Sequence, residues 1–231
     1  MNAKEIKFED INQVKKLSDQ MDLYRQEKGL LSDSLFSLVD ASIFAGQQNK
    51  SGFMWTLLFD IYLYATELEL GIHEISSIYN DDIKNTQKHA ISIFNSINFF
   101  EQRMELHRIA TEFTLRYRAA WDKLLGLMIL IYSPDEYDKF QKSKEKLKSF
   151  NKIAKEWHFE DTTDITMQIS EFNNKFRTAE AHNSGVWRKW AFVIQNGVDD
   201  PREELMDAFN EFLDNLHIIK FIIKLSLIHG S

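Results

Sequence analysis

An arginine and a histidine stand five positions apart in the segment Arg177-Thr178-Ala179-Glu180-Ala181-His182. A guanidinium group binds an oxyanion through two parallel hydrogen bonds, and an imidazole gains or loses a proton near neutral pH. Chance alone gives about 0.7 such pairs in a chain of this length and composition, so the spacing needs support from its surroundings.

The helical geometry of this segment limits how its two side chains can meet. Five residues of regular α-helix rotate a side chain by about 140°, so Arg177 and His182 converge only if the helix unwinds near His182. The following Asn183-Ser184-Gly185 favours such an end. In the alternative interpretation, Arg177 pairs with Glu180 or another acid, and His182 caps the end of a helix.

Several other chemistries lack the residues they need. The chain has no Cys, which excludes thiolate metal ligands, cysteine nucleophiles and disulfides. His73-Glu74 has no second histidine at the zinc-protease spacing, and no histidine follows a glutamate by three residues as in di-iron bundles. There is also no glycine-rich phosphate loop. We therefore expect neither a metal nor an organic cofactor.

The elements that must position these residues are predicted to be helices. Only 2 Pro and 8 Gly interrupt 231 residues, too few for the turns of a β fold. With 44% hydrophobic residues the chain can bury a large core. We expect one all-α domain, with N-terminal helices over residues 1–80 and a helical core over residues 81–231.

Breakers and caps give approximate helix limits. Predicted helices cover Asn2 to Lys28 with an end at Gly29, Ser32 to Gly46, Phe53 to Tyr79 with a break at Asn80 to Asp82, Asp164 to Ala181, and a last helix from Asp200-Pro201. A further break is expected between Asn98 and His107, because one helix from Ile83 to Tyr132 would overrun a compact domain. Ser133, Pro134 and Glu136 form a predicted capping box.

Two apolar stripes recur at steps of three and four residues, which predicts one buried face on each of two long helices. The stripes are Ile109, Phe113, Tyr117, Ala120, Leu124, Leu127 and Ile131, and Leu205, Phe209, Phe212, Leu216, Ile219, Ile223 and Leu227.

Charge is unevenly distributed along a chain of net charge −7. Lys139 to Lys155 carries seven Lys against Glu145, and Asp199 to Asp214 carries seven acids against Arg202. Two solvated helix faces of opposite sign explain this pattern. The charged N-terminus lacks a signal-peptide core and the longest apolar run is too short to span a bilayer, so we expect a cytoplasmic protein without a membrane partner.

The Arg-x4-His segment, late in an all-α chain and followed by Trp187-Arg188-Lys189-Trp190, resembles HEPN domains, helical modules prominent among bacterial RNases, and in particular one bacterial HEPN group. The helix with Tyr117, Arg118, Asp122 and Lys123 is similar to a HEPN core helix. The resemblance covers about the second half of the chain and implies a multi-helix HEPN-like bundle with additional N-terminal helices.

The resemblance also implies an activity. It is metal-independent endoribonuclease cleavage, in which a ribose 2′-hydroxyl attacks the adjacent phosphate, with Arg177 binding the phosphate and His182 transferring the proton. HEPN enzymes are understood to build one cleft from two protomers, which implies a homodimer. RNA is the implied partner, and an antitoxin or effector protein in a toxin or defence system is another.

Supporting roles follow from the same resemblance. Arg188 and Lys189 would bind the RNA backbone, while Trp187, or Trp190, would either stack on a base or pack in the core. Arg118 and Asp122 would form a pair one helical turn apart.

The segment departs from the family pattern at one position. Thr178 follows the arginine where the family often has Asn, Asp or His, which puts catalysis in question more than the fold. Glu180 either orients His182 or forms a surface ion pair. The alternative function is therefore a non-catalytic HEPN-type module that binds RNA or another protein.

Overall fold

The computed structural model describes residues 11–30, 40, 43–45, 51–86, 97–157, 162–178, 185–192 and 202–229. Every regular element in these ranges is helical, which confirms the all-α, multi-helix fold class. The α-helices are α1 (Ile11–Glu27), α2 (Ser51–Thr86), α3 (Ile97–Tyr132), α4 (Tyr137–Lys142), α5 (Lys146–Ala154), α6 (Thr162–Phe172), α7 (Val186–Phe192) and α8 (Arg202–His229). Two 3-10 turns lie at Pro134–Glu136 and Lys155–Trp157, and a π-helical turn, Asn173–Thr178, follows α6 directly.

The chain forms two compact units, each assembled from separate stretches of sequence. One unit contains Met1–Thr66, Ala120–Thr166 and Glu211–Ser231, and the other contains Glu67–Ala119 and Met167–Asn210. Each unit draws on residues from both sides of position 80. The division into N-terminal helices and a core at that position stays a prediction.

The end of α1 agrees with the sequence prediction. Gly29 has a φ of +68°, the left-handed conformation that glycine adopts at low cost. The Leu30 N–H donates to the Arg25 carbonyl at 3.0 Å, and the Gly29 N–H donates to the Gln26 carbonyl at 3.0 Å. These two hydrogen bonds form a Schellman motif, which satisfies carbonyls that the helix end would otherwise leave unpaired.

Two predicted helix breaks are wrong. The helix α2 continues through Asn80 to Asp82, and α3 runs without interruption from Ile97 past His107. Each Asn or Asp in a helix costs only a few tenths of a kcal/mol relative to better helix formers, and the backbone hydrogen bonds of a 36-residue helix outweigh that. The predicted helix between Ser32 and Gly46 and residues 2–10 lie mostly or wholly outside the described residues.

The predicted helix start at Ser133 is confirmed in position, with Ser133 as N-cap and Pro134 at the first helical position, but its capping box is wrong. Ser133 precedes a 3-10 turn with Pro134 at its first position, but the serine side chain makes no capping hydrogen bond. Its hydroxyl instead accepts a hydrogen bond from the indole N–H of Trp157 at 2.7 Å. The carboxylate of Glu136 pairs with Lys139 at 2.7 Å. The Glu136–Lys139 pair has the common i,i+3 spacing, whereas Trp157 lies 24 residues from Ser133, a contact that sequence spacing does not reveal.

The two predicted apolar stripes are confirmed as buried faces. On α3, Ile131 is half-buried and the other stripe residues are at most 4% exposed. On α8, the stripe is buried from Leu205 to Ile223, and the side chain of Leu227 lies outside the described residues. Burial of one continuous face explains why these helices run so far without a break. None of the helices in the described part of the chain is both long and apolar enough to cross a membrane.

Gly71 lies where α2 packs against α3. A Cβ at this position would lie 3.6 Å from Phe113 Cδ2 and 3.7 Å from Ile109 Cγ2, both ordinary van der Waals distances. Gly71→Ala is therefore expected to raise the free energy of unfolding by about 1 kcal/mol, measured by urea denaturation, because alanine favours a helix interior. In the control Gly29→Ala, the positive φ should lower it by about 1 kcal/mol. A loss of stability in Gly71→Ala would contradict the packing described.

Two buried tyrosines make stability sensitive to alkaline pH. Burial first, and then the charge of Asp22, raises the pKa of Tyr62 to about 12. Burial, with the charges of Asp138 and Asp60, raises the pKa of Tyr137 to about 12. A raised pKa in the folded state stabilises the fold fully below the unfolded pKa of about 10, and the contribution is lost as pH rises towards 12.

The free energy of unfolding should therefore fall between pH 10 and pH 12. In the double variant Tyr62→Phe/Tyr137→Phe that fall should be shallower, as measured by denaturant midpoints at several pH values. The exposed Tyr24 provides the control, because Tyr24→Phe should keep the wild-type dependence. If the free energy of unfolding of the double variant fell with pH as steeply as that of the wild type, the two phenols would not be the cause of the fall.

Candidate functional site

A row of aromatic rings crosses the unit formed by Glu67–Ala119 and Met167–Asn210. The ring centroids of Tyr117 and Phe172 are 4.2 Å apart, and those of Phe172 and Phe176 are 4.8 Å apart. Phe176 then stacks on Trp187 at 4.6 Å with an angle of 9° between the ring planes. Contacts between such rings are worth more than their buried area alone. The row therefore joins α3, the π-helical turn and α7.

Trp187 lies at the centre of this packing. It is completely buried, and its indole N–H donates to Thr114 Oγ1 at 2.9 Å. The Thr114 hydroxyl in turn donates to the Ala110 carbonyl at 3.0 Å. A base stack needs an accessible ring face, so the RNA-binding role predicted for Trp187 is wrong. Trp190 is only 5% exposed, and both indoles pack in the core as the alternative interpretation had it.

The π-helical turn presents Arg177 to solvent. The Asn173 side-chain N–H donates to the Ile169 carbonyl at 2.8 Å, the acceptor that the Asn173 backbone N–H would use in an α-helix. Phe176 is buried at 1% exposure, whereas Arg177 and Thr178 are exposed. The predicted regular helix thus ends earlier, at Phe172, and continues as a π turn. π-Helical turns occur frequently at functional sites.

Further cations follow Trp187 on α7. Arg188 and Lys189 are exposed. Arg188 directly follows Trp187 in sequence and Arg177 directly follows Phe176, so each arginine adjoins one ring of the stacked pair. The Phe176–Trp187 stack therefore fixes the backbone from which both arginines project. Lys175 is different, because its ammonium group pairs with the Glu204 carboxylate.

Arg177 retains an uncompensated charge within the described part of the chain. No described carboxylate forms an ion pair with it, and its side chain is exposed. His182 and Glu180 lie outside the described residues, so the predicted convergence of His182 with Arg177 and the role of Glu180 stay predictions. Thr178 is exposed beside Arg177, and its supporting role stays a prediction.

Arg118 and Asp122 lie one turn apart on α3, and both are half-buried. Their predicted pairing stays a prediction. The neighbouring Lys123 pairs with Asp60 of α2 at 2.5 Å, which gives this ammonium group a structural partner. Elsewhere in the described ranges, no three His, Asp or Glu side chains are grouped closely enough to hold a metal ion.

Comparison with known proteins gives no relative for this arrangement. No protein-family model matches the chain, no curated protein matches it, and no solved structure matches it. The HEPN resemblance therefore depends on the residues of this chain alone.

Sequence reasoning missed the ring stack that supports the site. Its signals were present, since Phe172 and Phe176 stand four residues apart before the motif, and Trp187 and Trp190 stand three apart after it. These spacings predict two buried helical faces, but not that Phe176 would meet Trp187. Thr114, the hydrogen-bond partner of the indole, is 73 residues away from Trp187 in sequence.

Proposed function

We propose that the protein is a metal-independent endoribonuclease of HEPN type, in which Arg177 binds the scissile phosphate and His182 transfers protons. The observation that carries the proposal is the exposed guanidinium of Arg177, held on a π-helical turn by the Phe176–Trp187 stack. A rigid support beneath an exposed cation reduces the cost of positioning it on a phosphate.

The reaction needs few groups. The 2′-oxygen of a ribose attacks the adjacent phosphorus while its proton passes to a base, and the 5′-oxygen leaves with a proton from an acid. The product ends are a cyclic phosphate and a 5′-hydroxyl. Arg177 would stabilise the negative charge that gathers on the phosphate oxygens, through two parallel hydrogen bonds. His182 supplies the proton transfer at neutral pH.

RNA binding would use the cations next to the stack. Arg188 and Lys189 are exposed on α7 and would contact phosphates on either side of the one that Arg177 binds. In this proposal the protein acts as a homodimer that doubles the number of cations at the cleft. An antitoxin or effector protein would control it in a toxin or defence setting.

The second candidate function is RNA binding without cleavage. Thr178 favours it, because this exposed residue stands where the resembled family often carries a side chain able to assist catalysis. Arg177, Arg188 and Lys189 would then form a phosphate-binding surface, and His182 would have no chemical role.

The two candidates differ in their products. Mixed RNA incubated with the protein in EDTA should yield fragments that end in cyclic phosphate, and His182→Ala should yield none. The matched control is His73→Ala, since His73 is an exposed histidine on α2. Retarded but intact RNA from the wild type would favour the binding module. Equal cleavage by the wild type and by His182→Ala would reject His182 as the proton-transfer group.

A further inference from the structure

The C-terminal half of α8 carries a second, exposed apolar stripe on the side opposite its buried one. Ile218 is 59% exposed, Phe221 is 62% exposed and Leu225 is 38% exposed. Leu216, Ile219 and Ile223 of the same helix are at most 1% exposed. Large apolar groups rarely remain in water as a continuous stripe unless another surface covers them.

The spacing of this stripe is that of a helix–helix seam. Asp214, Ile218, Phe221 and Leu225 follow one another at intervals of four, three and four residues, so their side chains lie along one line. Lys224 is exposed beside the same line. Over the described side chains, which end at Leu225, the stripe thus has an acid at its first position, apolar groups in the middle and a cation near its end.

This order of groups is complementary to itself. In an antiparallel pair of two such stripes, the Asp214 end of each copy meets the Lys224 end of the other, and Phe221 packs near Ile218 of the other copy. A two-fold axis produces both ion pairs at once, since an isologous interface uses the same patch twice. A parallel pair would place Asp214 against Asp214, and an RNA backbone would meet apolar groups and an acid.

We propose that two copies of the chain associate through this face of α8 in an antiparallel pair. The occupant is a second copy because the charge order of the stripe matches its own reverse. The helix rises by about 16 Å from Asp214 to Leu225, which is small for a permanent interface, so the dissociation constant should be roughly micromolar. The inference gives a surface to the homodimer of the proposed function, but it does not depend on RNA cleavage, because its readout is molecular mass.

The first test compares one apolar substitution on the stripe with a matched one elsewhere. Sedimentation equilibrium at protein concentrations from about 1 to 100 µM should show the wild type moving from 27.3 kDa towards twice that mass. Ile218→Asp should raise the dissociation constant about a hundredfold, because each copy loses an apolar contact and brings a carboxylate to the seam. The control is Leu115→Asp on α3, where the leucine is 54% exposed. This variant should keep the wild-type dissociation constant.

The second test reverses charges and depends on self-complementarity. Asp214→Lys alone should weaken the dimer about tenfold, because each new lysine faces Lys224 of the other copy, and Lys224→Asp alone should do the same. The double variant Asp214→Lys/Lys224→Asp should recover the wild-type constant.

Three results would overturn the proposal. They are a wild type that stays at 27.3 kDa throughout, equal weakening by Ile218→Asp and Leu115→Asp, and a double charge variant no better than the single ones. Circular dichroism of each variant checks that the helices are retained. Because the replaced side chains are exposed, we expect all of these variants to fold.

Discussion

Arg177→Ala is expected to slow metal-free RNA cleavage by at least about a hundredfold, the usual loss when a donor to the developing charge is removed. Arg177 is exposed, so the substitution should leave the fold intact. Arg177→Lys should lose an intermediate amount, because an ammonium group keeps the charge but cannot form two parallel hydrogen bonds to the phosphate. The measurement is the initial rate on a defined RNA in EDTA.

Arg108 is the matched control for this prediction. It is another exposed arginine, but its guanidinium is already bound by Glu105 at 2.5 Å and by Glu112 at 2.7 Å. Arg108→Ala should therefore leave the cleavage rate unchanged. Equal rates for the wild type and Arg177→Ala would reject the proposed site, whereas equal losses in both arginine variants would indicate a general effect of surface charge.

Trp187→Ala is expected to lower the free energy of unfolding by about 3 to 5 kcal/mol, the cost typical of removing a fully buried aromatic side chain. The variant loses the stack on Phe176 and the hydrogen bond to Thr114 Oγ1. Chemical denaturation measures this change directly. Because Phe176 would lose its support, the variant should also cleave RNA more slowly under conditions in which it is still folded.

Trp187→Phe separates the ring stack from the hydrogen bond. A phenyl ring can still stack on Phe176, and the Thr114 hydroxyl still donates to the Ala110 carbonyl. The expected loss is therefore smaller, about 1 to 2 kcal/mol, and cleavage should stay close to the wild-type rate. A variant that loses as much stability as Trp187→Ala would show that the indole N–H, rather than the ring, holds this region together.

The parts of the fold that sequence predicted are those governed by local chemistry. Gly29 ends α1 because its φ of +68° suits glycine, and the stripes on α3 and α8 are buried because a helix has a fixed period. The break expected at Asn80 from residue propensity failed, and so did the break expected near His107 from the size of a compact domain. At both places the free-energy cost of a few poor helix formers is small, and the cooperativity of a long helix outweighs it. A short stretch of sequence does not reveal that cooperativity.

The sequence predicted where the candidate site lies along the chain, but not how its residues are arranged. The π-helical turn that begins at Asn173 was not predicted, and the unwinding expected near His182 lies outside the described residues and stays a prediction. Trp187 was given a role that its burial excludes, because a tryptophan beside cations has the same pattern whether it binds a base or fills a core. Contacts between distant residues, such as Trp187 and Thr114, decide between these roles.

The π-helical turn has a consequence for how this chain can evolve. Such a turn is equivalent to one residue inserted into an α-helix, and one residue corresponds to about 100° of rotation about the helix axis. Because the wider π-helical turn absorbs that rotation, loss of a single residue such as the exposed Asn174 would restore a regular helix and leave Arg177 facing about the same direction. A descendant could therefore lose the π-helical turn through a one-residue deletion and still keep Arg177 on the same side of the segment.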